Sequence, residues 1–527
     1  MGWCYIVLDL LIQNACIVDG TGNSAFCGSI AVEDGVIREV VQGDAEFFAD
    51  KVIDAKGRLV VPGFVDIHRH GDLLPFAGRG AEEIRLGVTS FVNGNCGFSP
   101  APSAPEYFSA LREYARPIMG LIPEKLCGAS FEQYLTAAAN CSLYSNMGFL
   151  VGGGALRIAV KGFDASPMTS CELDKMCELL KESLQEGALG LSMGLMYVPE
   201  NFFSKNELVR ICRVAADMGR ITTVHLRGEG SSLIESVREV VSLAEQTGGA
   251  FHISHLKAAG KKNWRFLVPR ALEMLVKARE DGLDITFDVY PYTAGSTALY
   301  TLLPPEVQEG GVETMLDRLR DESVRRSVTK ALRSEQTAWD NLVNSTGWDS
   351  VVLAGGRDAG STVEEIAGCR GISPEECAIE ILLEQNGNMP MVFHSMCERD
   401  MEEIMLTPGA IVVSDALYSE GGRPHPRRYG SQIRLLSRYA DRMGFENAIR
   451  AVTALPAKRM GIKNRGLLHT GYAADILILD PENLSDTATY EEPVQYPSGI
   501  DAVFVNGKPA TGESGELCGC YGTLMKW

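Results

Sequence analysis

Short apolar runs separated by turn residues open the chain. Leu8 to Ile12, Ala15 to Val18, Ser29 to Glu33, Val36 to Val41 and Val52 to Asp54 read as β-strands, with Asp19-Gly20 and Asp34-Gly35 as turns between them. The far end repeats the style in Ala474 to Leu479, Ile500 to Val505 and the turn Asn506-Gly507. Two β-rich ends around a long middle predict one small β-sandwich domain formed from both chain ends. The middle alternates apolar strands with helical stretches. Its strand candidates are Leu59 to Ile67, Ser90 to Asn93, Gly148 to Val151, Gly190 to Met193, Ile221 to His225, Ala250 to His255, Ile285 to Tyr290, Val351 to Ala354, Met391 to Phe393 and Ala410 to Ser414. Amphipathic helices are predicted over Ser170 to Gln185, Lys205 to Met218 and Ser231 to Gln246. This alternation is that of a parallel α/β fold, and polar residues gather at the strands' C-terminal ends, where a (β/α)8 TIM barrel carries its active site. Ten candidates exceed the eight strands of such a barrel, so at least two belong elsewhere. A helical, polar stretch from about Ala298 to Gly347 interrupts the alternation and reads as an insertion or lid. The predicted organisation is 1–61 and 461–527 as the two parts of the sandwich and 62–460 as the barrel, with an insertion over 298–350.

Composition narrows the function. A chain of 527 residues exceeds one ordinary core, and 45% hydrophobic with 22% charged residues lets it bury a large one. The formal net charge of −19 argues against a nucleic-acid surface and gives an anionic substrate no long-range steering, so carboxylate recognition must be local. Fourteen cysteines fall without even spacing. The apolar stretch around Ile6 to Ile12 is broken by Asp9 and lacks the charged flank and cleavage site of a secretory signal. Gly2 is followed by Ile6 where myristoylation needs Ser or Thr, and no apolar run reaches the roughly 18–20 residues of a membrane span. A cytoplasmic, reducing setting with mostly free core thiols is expected, with neither nucleic acid nor membrane as partner. No heptad or unusually apolar surface segment declares an oligomeric state.

The placement of the eight histidines is informative. His68 and His70 end the run Leu59-Val-Val-Pro-Gly-Phe-Val-Asp-Ile; strand period two puts both on one face with Asp66 beneath them, half of a metal site. Cys96 lies in the Gly-rich bend Asn93-Gly-Asn-Cys-Gly-Phe-Ser, as a buried inert thiol or, beside a metal, as a thiolate that selects zinc. The bend's glycines are expected to supply flexibility. His225 ends Ile221-Thr-Thr-Val-His. His255 ends Phe251-His-Ile-Ser-His, where His252 has the opposite parity; His255 is taken as the inward residue. Four histidines and a cysteine at four strand ends make a zinc site. Asp415 closes Ala410-Ile-Val-Val-Ser-Asp, either as an N-cap or, the reading preferred here, as a general base beside metal-activated water. Zinc-assisted hydrolysis follows, with Asp415 passing the water's proton to a leaving nitrogen.

Pro62-Gly-Phe-Val-Asp-Ile-His-Arg-His resembles the first-strand signature of the amidohydrolase superfamily. Asn95-Cys-Gly-Phe-Ser-Pro, Gly187-Ala-Leu-Gly-Leu-Ser-Met-Gly-Leu, His225-Leu-Arg-Gly-Glu-Gly, Asp288-Val-Tyr-Pro-Tyr-Thr-Ala-Gly-Ser-Thr and His425-Pro-Arg-Arg-Tyr-Gly resemble the N-acyl-D-amino-acid deacylases (D-aminoacylases), from about Asp9 to Gly515. The resemblance implies one tight zinc on Cys96, His225 and His255, and a weaker second position at His68, His70 and Asp415. It implies that Tyr290 polarises the substrate carbonyl, that Ser296 and Arg427 bind the substrate carboxylate, and that the insertion is a mobile lid. Departures are Gly153 where relatives are expected to have histidine, Gly71 instead of an acidic residue after His70, and an extra residue in Ser419-Glu-Gly-Gly422. The reading is zinc-dependent hydrolysis of N-acyl-D-amino acids, D stereochemistry resting on the resemblance alone. The alternatives are a cyclic-amide hydrolase of hydantoinase or dihydroorotase type and a non-catalytic binding protein. The first usually carries a carboxylated lysine on a central strand, and neither Gly148 to Val151 nor Gly190 to Met193 contains lysine.

Overall fold

The structure is a computed structural model and describes residues 8–43, 47–334, 339–419, 422–512 and 515–527. The apolar N-terminal stretch is therefore seen from Leu8 onward; Ile6 and Val7, and Glu420 and Gly421 of the extra-residue loop, lie outside the described residues. Five strands come first: β1 (Leu8–Ile17), β2 (Phe26–Glu33), β3 (Val36–Gln42), β4 (Ala49–Asp54) and β5 (Leu59–Pro62). The two runs expected at Leu8 to Ile12 and Ala15 to Val18 are one strand. Its register slips between Ile12 and Ala15, where Asn14 takes φ 54°, a bulge at a residue type that tolerates the left-handed region.

The run Leu59 to Ile67, expected as one strand, is two. After β5 the chain turns at Gly63 into β6 (Phe64–Asp66), which joins a different sheet. A Cβ on Gly63 would lie 2.1 Å from the Thr89 hydroxyl, so only glycine lets the chain pass between the sheets here. Then follow β7 (Val88–Asn93), β8 (Asn146–Phe149), β9 (Val151–Gly152), β10 (Gly190–Gly194), β11 (Ile221–His225), β12 (Phe251–Ile253) and β13 (Ile285–Val289). β14 (Gly295–Ala298), β15 (Val351–Leu353) and β16 (Pro390–Phe393) come next, then β17 (Ile411–Val412), β18 (Ile476–Leu479), β19 (Ile500–Val505) and β20 (Lys508–Pro509).

Parallel ladders connect β6-β7-β8 and β9-β10-β11-β12-β13-β17. Only Leu150, whose N–H bonds Asn93 O, separates β8 from β9, and a parallel bridge joins Arg69, past β6, to Ala416, past β17. Amphipathic helices return between strands, among them Ser170–Gln185 and Lys205–Asp217, each opened by a capping box (Thr169 with Glu172, Ser204 with Glu207). The two surplus strand candidates, Val351 to Ala354 and Met391 to Phe393, form β15 and β16 of a separate antiparallel sheet whose third member is β14. β14 is small and polar, which is why its strand character does not show in the hydrophobic pattern. Residues 298–350 hold the helices Pro305–Gln308, Gly311–Arg320, Glu322–Leu332 and Leu342–Thr346. Strands from both chain ends share one hydrogen-bonded path, β20-β19-β18-β5-β1-β2-β3, with β4 beside β1. Among the described residues no helix is long and apolar enough to cross a membrane.

Candidate metal centre and active site

Each expected metal ligand sits at or just beyond the C-terminal end of a parallel strand: His68 and His70 after β6, Cys96 after β7, His225 at the end of β11, His255 after β12 and Asp415 after β17. Of the expected substrate-binding residues, Tyr290 follows β13, Ser296 lies in the antiparallel β14 and Arg427 opens a helix. The ligands are all buried. The structure brings them to one place. His68 Nε2 lies 3.2 Å from Cys96 Sγ, and His255 Nε2 lies 3.5 Å from the same sulfur. Asp415 Oδ1 is 3.4 Å from both His68 Nε2 and His70 Nε2. The His225 and His255 rings stand edge to face, 4.4 Å between centroids. Three trios offer ligand atoms within 4.8 Å of one another: His68, Cys96 and His255; His68, His70 and Asp415; His225, Glu229 and His255.

The backbone is bent to achieve this. Cys96, His255 and Asp415 all take left-handed φ, at 53°, 34° and 49°. Such positions cost on the order of 1–3 kcal/mol each and persist where the surroundings enforce them, as at functional sites. The glycines of the Cys96 bend serve packing rather than flexibility. A Cβ on Gly94 (φ 78°) would lie 2.1 Å from Leu150 O, and one on Gly97 (φ 79°) would strike the Glu200 carboxylate. Gly153, where relatives were expected to carry histidine, has no room for a side chain: its Cβ would meet Met193 Sδ at 2.6 Å and Glu200 Oε2 at 2.7 Å.

The electrostatics follow from burial and neighbours. Burial raises the Cys96 thiol, but His68, His225 and His255 overcome it and hold the group well below its ordinary value, as thiolate. Burial alone would depress His68; Cys96, Asp415 and Asp288 raise it well above normal. His255 is lowered by burial and by Lys257, then lifted by Glu229 and Cys96 to about 9. Asp415 is pushed up by burial and pulled well below the usual carboxylate range by Arg427, His68 and His70. His225, depressed mainly by burial, has both ring nitrogens buried without a hydrogen-bond partner, as is Nδ1 of His70. Orphaned imidazole nitrogens around a thiolate and a carboxylate are the donor set of a zinc-type cation, so the residues present fit one.

Several residues important to this geometry were not singled out from the sequence as site residues. Asp288 Oδ2 is 3.2 Å from His68 Nδ1 and 2.8 Å from His252 Nε2, and its other oxygen accepts the His255 N–H. His252 thus supports the site from behind. Asp288, in β13, precedes Tyr290 just past the strand's end by two, a same-face spacing that is a signal in the sequence. Glu229, four residues after His225, stands 3.1 Å from His255 Nδ1 and 2.5 Å from Lys257 Nζ. Asp66 is not among the candidate ligand trios. It accepts from Arg69 Nε at 2.7 Å, Gln432 Nε2 at 3.1 Å and the Ser414 N–H, tying the end of β6 to that of β17.

Arg427 is buried, not a surface ion pair. One of its terminal nitrogens lies 2.8 Å from Asp415 Oδ2 and donates to Ser296 O at 3.3 Å, and the guanidinium stacks 4.5 Å over the Tyr290 ring. His425 accepts the Arg427 N–H and donates to Ala294 O, which fixes the start of the Arg427 helix. Tyr290, Ser296 and Arg427 line one cavity with Cys96, His225, His255 and Asp415.

No protein-family model matches the chain. An N-acyl-D-aspartate deacylase of Alcaligenes xylosoxydans xylosoxydans is 32% identical over 514 residues, covering 95% of this chain and 91% of its own. The crystal structure of an N-acyl-D-glutamate deacylase from Bordetella bronchiseptica, complexed with zinc and a phosphonate mimic of the reaction's tetrahedral intermediate, superposes with a TM-score of 0.83. Its sequence identity is 29%, and the match covers 99% of this chain and all of that one. A D-aminoacylase structure concerned with a binuclear metal centre, one-metal activation and second-metal attenuation matches at 27% identity and a TM-score of 0.80, covering 99% of this chain and 100% of its own.

Proposed function

Since the chain belongs to the N-acyl-D-amino-acid deacylase (D-aminoacylase) family of the amidohydrolase superfamily, hydrolases of linear amide bonds, we propose that it releases a free D-amino acid from its N-acyl derivative with zinc held by Cys96, His225 and His255. His68, His70 and Asp415 offer a weaker second position. The parallel strands are read as one (β/α)8 barrel, β8 and β9 counting as one interrupted strand and the Arg69–Ala416 bridge closing the ring. Residues 1–61 and 461–527 are read as its companion sandwich, and the helices of 298–350 as a lid. Convergence of the His, Cys and Asp side chains beside the Arg427–Ser296 corner carries the proposal.

Bound zinc supplies Lewis acidity, lowering the pKa of water and polarising a carbonyl. The protein's own groups do the rest. Arg427 and Ser296 bind the substrate carboxylate and so place the amide before Asp415. Tyr290 donates its hydroxyl proton in a hydrogen bond to the carbonyl oxygen. Asp415 accepts the proton of the attacking water and delivers it to the amide nitrogen, which leaves as amine as the C–N bond breaks. The test is amine release from paired N-acetyl-D- and N-acetyl-L-amino acids beside hydantoin and dihydroorotate, with metal content measured on the same sample. Turnover of the D series with about one zinc per chain supports the reading. Activity on the cyclic amides alone would sink it.

A further inference from the structure

Two cations other than histidine lie on the wall of the cavity before Cys96, His225 and His255, namely Lys257 and Arg427. Both are already engaged. Lys257 Nζ is 2.5 Å from Glu229 Oε1 and 2.8 Å from His255 Nδ1, while Arg427 meets Asp415 at 2.8 Å. Two wall carboxylates therefore answer the two cations. Arg427 keeps a buried Nε without a partner, a donor for the single carboxylate that every N-acyl amino acid carries. A second carboxylate, on the side chain, would lose its hydration there without a cation of its own, which is costly.

Apart from these groups and His70, Cys96, His225 and His255, the wall is uncharged. Met391 and Phe393 stand beside Ser296, whose hydroxyl donates to Met391 O at 2.8 Å and whose neighbour Gly295 is in register with Phe393. Phe98, Ile118, Met196 and Leu417 add apolar surface, and Tyr197, Thr297, Thr301 and Ser395 add hydroxyls that carry no charge. Methionine adapts to apolar side chains of varied shape. Resting on the deacylase reading, we propose that this site takes N-acyl-D-amino acids with uncharged side chains, apolar ones included, and discriminates against acidic ones. The likeness to deacylases of N-acyl-D-aspartate and N-acyl-D-glutamate points the other way, so the question is open to a decisive measurement.

That measurement is kcat/KM of the full-length, zinc-loaded protein on N-acetyl-D-methionine and N-acetyl-D-leucine against N-acetyl-D-glutamate and N-acetyl-D-aspartate. The apolar pair is expected to lead by at least about 100-fold. An acidic pair within about tenfold of the apolar one, or ahead of it, overturns the proposal and leaves the deacylase reading standing. No turnover of any N-acetyl-D-amino acid, with hydantoin or dihydroorotate hydrolysed, overturns the deacylase reading and this proposal with it.

Discussion

The sheet built from both chain ends and the parallel strands that carry the site both have buried interiors but enclose different chemistry. In the terminal sheet the interior is Leu10, Ile12, Ile30, Val32, Val60 and Ile476, each 2% exposed or less. A side chain of this kind contributes about 1.5–3 kcal/mol by leaving water. Around the site the buried groups are His68, Asp288, His225, Cys96 and Asp415, which gain nothing from leaving water and depend on one another's charge and hydrogen bonds. Left-handed residues differ in the same way. In the terminal sheet Asn14 forms a bulge and Asp34 and Asn506 form turns, whereas Cys96, His255 and Asp415 spend the strain on aiming atoms at one point. One region buries groups that water repels, the other buries groups that must satisfy one another.

Three substitutions sharpen or break that contrast. Asp415→Ala is expected to lower kcat by about 10³–10⁴-fold while leaving zinc bound, measured by turnover and metal analysis together. Loss of zinc would instead make Asp415 chiefly a ligand. Asp288→Asn leaves the shape but weakens the partner that His68 and His252 share, with an expected loss of about 10–100-fold in metal affinity or activity; metal-competition titration reads it. Unchanged affinity would mean that Asp288 only fills space. Ile12→Ala is expected to cost about 2–5 kcal/mol of stability by denaturant unfolding, yet to leave kcat/KM of the folded fraction unchanged. A change in kcat/KM would show that the two regions are coupled.

What the sequence discloses follows the same divide. His68, His70, Cys96, His225, His255 and Asp415 are legible because each ends an apolar run or sits in the bend behind it. Glu229, Lys257 and Asp288 are less so: their partners come from other strands, and only the assembled sheets bring Asp288 against both His68 and His252. Strand limits blur where one residue decides them, as at Gly63, where the chain leaves one sheet for another at a place whose closeness to Thr89 leaves no space for a Cβ. The surplus runs at Val351 and Met391 look like barrel strands because burial, not sheet membership, sets their hydrophobicity.

The pairing of β5 with β18 has a consequence for how the molecule is made. Leu59 lies opposite Leu479 and Pro62 opposite Ile476, a closure spanning roughly 400 residues, far beyond the local contacts that form early. At about 5–20 residues per second of synthesis, the first strands wait on the order of tens of seconds on the ribosome before their partner exists. Through that interval β5 presents an open edge next to the nascent parallel strands, so chaperone capture and aggregation during translation should concentrate on the N-terminal strands until the last fifty or so residues emerge.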